Sequence, residues 1–195
     1  MLLLQNIQLK VINCEIMTND SNFTRDQLEK VGQLLINSDR PLKERFRALF
    51  TLKNIGGKES IDWIAKAFSD ESALLKHEVA YCLGQLQDPL AIPILTEVLS
   101  DPAREPIVRH EAAEALAAIG GDIVTETLTK YAQDPVVEVR ETCQLALDML
   151  EFRKNNKSLE SNEYGSVDPA PASKEQNIEK LKADLLNTEL SLFER

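Results

Sequence analysis

The chain has 195 residues, enough for one domain with appendages, and its hydrophobic fraction of 43% is sufficient for a core. Aromatic residues are scarce at 5%, which suits closely packed helices better than a β-sandwich. A net charge of −10 and a pI of about 4.8 disfavour binding to nucleic acid or to an anionic membrane surface.

The first 16 residues open with Leu2-Leu3-Leu4 but soon meet Gln5, Asn6, Gln8 and Lys10. They lack a basic lead and a small-residue cleavage site, and they are too short and polar to span a bilayer. Cys14, Cys82 and Cys143 are odd in number and show no C-x-x-C spacing, as expected of a reduced, cytoplasmic protein. Cys82 and Cys143 lie among apolar residues and read as small core fillers. Residues 1–22 are expected to be a disordered or variant extension.

From Thr24 the pattern turns helical. Thr24 with Gln27 has capping-box spacing, and Leu28, Val31, Leu34 and Leu35 form an apolar stripe. Pro41 opens a second helix, Leu42 to Ile55, which Gly56-Gly57 closes. Further helices are predicted over 60–68, 72–86, 91–99, 105–119, 123–132 and 136–152. Asp88-Pro89, Asp101-Pro102 and Asp134-Pro135 punctuate them. No stretch alternates with a period of two, so strands are not expected. Trp63 reads as packing. The pattern is an all-α solenoid of helical hairpins with a period of about 30–33 residues over 23–153. A polar, Pro- and Ser-rich linker follows over 154–176.

Two of these helices carry the chemistry. The chain has two histidines, each followed directly by glutamate: His77-Glu78 and His110-Glu111. They are 33 residues apart (110 − 77), one repeat length. Stacking should therefore bring two imidazoles and two carboxylates to one surface. That donor mixture suits a first-row metal, iron foremost, with manganese or zinc as alternatives. The equivalent slot holds Arg45-Phe46-Arg47 before the pairs and Arg140-Glu141-Thr142 after them. A pair confined to the middle repeats argues for a site rather than a habit of the scaffold. A histidine that merely hydrogen-bonds within an inner helix is the plainer alternative. Glu114, four residues after His110, could orient its ring. Lys76 and Arg109, just before the histidines, are expected to face solvent. The small residues Ala80, Gly84, Ala112, Ala113 and Ala115 imply either close helix approach or room for a ligand.

Residues 177–195 repeat the start of the block at an offset of 150. Glu29 matches Glu179, Lys30 matches Lys180, Leu35 matches Leu185, and Arg45 matches Arg195. This segment reads as the first helix of a truncated second lobe.

The stretches from Ser72 to Gln85, Glu105 to Leu116 and Val139 to Ala146 resemble deoxyhypusine hydroxylase. The likeness runs from about Asp26 to Phe152 and resumes at Ile178. It implies a HEAT-like fold, of the PBS type, in two lobes, with two Fe(2+) held by four His-Glu pairs in the complete enzyme. It implies that His77, Glu78, His110 and Glu111 are iron ligands. It further implies hydroxylation of the deoxyhypusine side chain on translation initiation factor 5A, with O₂ as oxidant. This chain carries two of the four pairs, so two copies of it could together imitate the full enzyme. Ala117 departs from the glycine usual in the family. A HEAT-repeat scaffold that binds a basic partner without catalysis is the competing reading. A chromophore lyase with similar repeats is a weaker third.

Overall fold

The structure is a computed structural model, and it describes residues 23–155, 173 and 175–195. Residues 1–22 and most of 154–176, including Cys14, lie outside the described residues. All regular structure among the described residues is helical, in agreement with the all-α expectation. The chain divides into two compact units, Met1–Ala67 and Phe68–Arg195.

The first unit holds α1 (Arg25–Ile36), α2 (Leu42–Ile55) and α3 (Gly57–Lys66). Thr24 and Gln27 cap α1 reciprocally, as their spacing predicts. Leu28, Val31 and Leu35 are buried, with Leu34 half-buried at the edge of the stripe. The helix α3 begins three residues earlier than the sequence suggests. Gly56 and Gly57, both at positive φ, turn the chain so sharply that the second glycine already opens the helix. Trp63 does pack: a Cβ on Gly32 would lie 2.1 Å from its ring, so glycine is required there.

The second unit holds α4 (Ala73–Leu86), α5 (Ile92–Ser100), α6 (Pro106–Ile119), α7 (Asp122–Tyr131), α8 (Val137–Asn155) and α9 (Ile178–Leu186). The helices α4, α6 and α8 pack in succession, α4 on α6 and α6 on α8, while α5 and α7 pack against them. Leu75, Val108 and Val139 hold equivalent positions in the repeats, as do Val79, Ala112 and Cys143. All six are fully buried. A buried leucine of this kind contributes on the order of 2 kcal/mol. The side chains of Cys82 and Cys143 are buried, as expected of core fillers.

Gly84 explains why the small residues are there. A Cβ at this position would sit 2.6 Å from the Cα of Ala115, so α4 and α6 approach closely only because Gly84 has none. The small side chains at this point thus serve close helix packing. That approach sets the spacing between the two histidine-bearing helices. Ala117 is buried, and its carbonyl accepts a hydrogen bond from Arg153 at 3.0 Å.

One expectation fails outright. Lys76 and Arg109 are buried, not solvent-facing. Arg109 donates through Nε to the carbonyl of Leu99 at 2.9 Å and through Nη2 to Asp134 Oδ2 at 2.5 Å. Lys76 Nζ reaches Glu105 Oε1 at 2.7 Å. Each cation is buried because an acidic residue just ahead of the next stacked helix meets it, which offsets the cost of leaving water.

Candidate metal centre

Ser72 starts α4 by accepting from the amide of Leu75, and Pro106 starts α6 at its first turn. From these starts His77 falls on the second turn of α4 and His110 on the second turn of α6. The stacked helices bring the imidazole centroids to 5.7 Å, with the rings inclined at 42°. His77 Nε2 lies 3.1 Å from Glu111 Oε2. The ligand atoms of His77, His110 and Glu111 all lie within 4.8 Å of one another. That spread is slightly wider than two metal–ligand bonds of about 2.1 Å.

Glu78 stands apart from this trio. Its Oε1 is 3.4 Å from His77 Nδ1, yet that buried nitrogen makes no hydrogen bond. Glu114 Oε1 is 3.7 Å from His110 Nδ1, beyond a hydrogen bond but on the expected face. Thr142 Oγ1, from α8, is nearer to the same nitrogen at 3.5 Å.

The electrostatics of the cluster favour a cation. Burial, reinforced by the neighbouring Glu114 and Glu78, pushes the Glu111 carboxyl up to about 8. Burial raises Glu114 as well, against the opposing pull of His77. Burial and then His77 hold His110 below the ordinary imidazole value. Acids are therefore inclined to keep a proton, and a base to refuse one, for want of compensating positive charge. Two imidazoles, one of them with a buried nitrogen that makes no hydrogen bond, and one carboxyl group fit a divalent first-row ion.

A HEAT repeats pattern matches residues 28–107, and a PBS lyase HEAT-like repeat pattern matches residues 108–134. Deoxyhypusine hydroxylase of Drosophila melanogaster is 55% identical over 174 residues, covering 88% of this chain and 58% of its own. Deoxyhypusine hydroxylase of Homo sapiens is 51% identical over 173 residues, covering 88% and 57%. The chain is a homologue of the deoxyhypusine hydroxylases. The structure of human deoxyhypusine hydroxylase in complex with glycerol matches with a TM-score of 0.83 and 51% identity, over 87% of this chain and 59% of that one. The chain thus spans under three-fifths of the length of these deoxyhypusine hydroxylases. No helix among the described residues is long and apolar enough to cross a membrane.

Proposed function

We propose that this chain supplies part of the iron site of a deoxyhypusine hydroxylase, acting on the deoxyhypusine side chain of translation initiation factor 5A in the cytoplasm. The observation that carries this reading is the convergence of His77, His110 and Glu111 from adjacent repeats in a chain over 50% identical to enzymes of that name. His77, Glu78, His110 and Glu111 are the proposed Fe(2+) ligands, with Glu114 supporting His110. Iron, when bound, supplies the one-electron chemistry that O₂ needs before it can attack an unactivated C–H bond.

The chain's own residues do the rest. The two rings present nitrogen donors from rigid helices, so little reorganisation is needed to seat a cation. Glu111 holds a proton at neutral pH and releases it when positive charge arrives. Glu78, less buried than Glu111, is the more open of the two to a cation or to an amine of the substrate. We read residues 23–153 as one repeat lobe and 177–195 as the first helix of a second. The further pairs of a complete site would come from such a lobe or from a second copy of this chain.

Anaerobic Fe(II) titration of the whole chain tests this reading. Replacing both His77 and His110 with alanine should weaken binding more than about 100-fold, beyond what loss of a supporting hydrogen bond costs. Unchanged iron binding by the double variant would refute it. The net charge of −10 and the HEAT-repeat match favour one alternative, a HEAT-type module that grips a basic partner without chemistry. On that alternative, binding is salt-sensitive and indifferent to iron.

A further inference from the structure

The repeat register places Thr142 in a telling position. Arg140 follows Val139 as Arg109 follows Val108, so Glu141 takes the slot of His110 and Thr142 the slot of Glu111. Glu111 reaches back across its junction to the histidine of the preceding repeat, His77, at 3.1 Å. Thr142 also reaches back, to His110, but it meets the other ring nitrogen, with Oγ1 at 3.5 Å from Nδ1. The register therefore repeats a contact, side chain onto preceding histidine, while changing the group from carboxyl to hydroxyl and the ring nitrogen from Nε2 to Nδ1.

The behaviour of other threonines sharpens the point. Thr51, Thr125, Thr127 and Thr129 direct their hydroxyls to carbonyls four residues back in their own helices. Thr125 and Thr129 are exposed, and Thr51 and Thr127 half-buried. Thr142 is buried and turns its hydroxyl across the junction to the imidazole instead.

We propose that Thr142 is a positioning residue for His110. Its hydroxyl oxygen accepts from Nδ1–H and so holds the tautomer whose Nε2 lone pair is free for a cation. A ring with its proton on Nε2 could not ligate through that atom, so the choice of tautomer decides whether His110 is a donor. Glu114 Oε1, at 3.7 Å from the same nitrogen, lies beyond a hydrogen bond. The proposal builds on the metal-site reading above, but the tautomer can be measured without any metal.

Two measurements on the full chain test it. Nitrogen-15 spectra of the apo chain should show His110 in the Nδ1–H form, and Thr142→Val should lose that preference while Thr142→Ser keeps it. Valine matches the shape of threonine without the hydroxyl, so folding should survive the change. Titrated with Co(II), Thr142→Val should bind about 10-fold more weakly and with an altered visible spectrum, and Thr142→Ser within about 2-fold of the parent. An Nε2–H ring in the unaltered chain, or cobalt affinity and spectrum unmoved in Thr142→Val, overturns the proposal. If the unaltered chain ignores both Co(II) and Fe(II), the metal-site reading falls, and the tautomer result alone decides the role of Thr142.

Discussion

The junction of α4 with α6 and that of α6 with α8 use the same parts to different ends. In each, a basic residue ahead of the histidine slot reaches an acid that precedes the next helix: Lys76 to Glu105, and Arg109 to Asp134. In each, the histidine meets the residue one slot further on in the following repeat: His77 meets Glu111, and His110 meets Thr142. The second ion pair is sealed, its side chains 4% and 6% exposed, whereas Glu105 in the first is 39% exposed. The first junction instead buries a carboxyl group at Glu111, beside the ring of His77. One repeat frame thus gives its sealed ionic lock to α6–α8 and its contact of histidine with buried carboxyl to α4–α6.

The largest effect should come from opening the sealed lock. Burial works to raise Asp134, but hydrogen bonds from Arg109 and the Val136 amide, with the charges of Arg109 and Arg140, hold it below its ordinary value. Asp134→Ala strands Arg109 without a counter-ion in the core. Such a loss costs about 3–5 kcal/mol, to be read by denaturant unfolding of the whole chain. A loss under about 1 kcal/mol would show that the lock is not the stiffer of the two.

An intermediate effect should appear at Glu111, through pH. Its folded pKa of about 8 lies above its ordinary 4.5, so the folded apo chain keeps a proton that the unfolded chain gives up. Stability is then fully present below about 4.5 and drains away as pH rises towards 8. Glu114, also raised, acts in the same sense, while the lowered His110 opposes it only below about 6.5. Between pH 6.5 and 8 the apo chain should lose at most about 2 kcal/mol through Glu111. Thermal melts across that window should fall for the apo chain and flatten with saturating Co(II). A flat apo profile would mean that Glu111 is already ionised.

Much of this was readable beforehand, for reasons that mark where reading stops. The 33-residue spacing of His77 and His110 carries their meeting, because a stack of equal repeats maps register directly onto proximity. Thr24 and Gln27 carry their cap, because capping is local. Lys76 and Arg109 were misplaced because helix periodicity reports which face a residue occupies, not how far its side chain reaches. Both extend across to acids outside their own helices, and only the tertiary stack reveals those partners. Thr142 escaped notice as a partner of His110 because a hydroxyl in a glutamate slot looks like a missing motif.

The smallest effect should come from the exposed lock. Lys76 holds Glu105 below its ordinary value, chiefly through their hydrogen bond, but Glu105 is open to water and its attraction is screened. In Glu105→Ala the flexible stem of Lys76 can carry its ammonium outwards to the space the carboxylate leaves, an escape closed to Arg109 behind Asp134. The loss should be about 1 kcal/mol or less, and it should shrink as salt is added. Compared with Asp134→Ala under the same conditions, this sets the difference between the junctions at several-fold. Equal losses from the two substitutions would mean that burial does not separate them, and the division between a sealed junction and an open one would have to be abandoned.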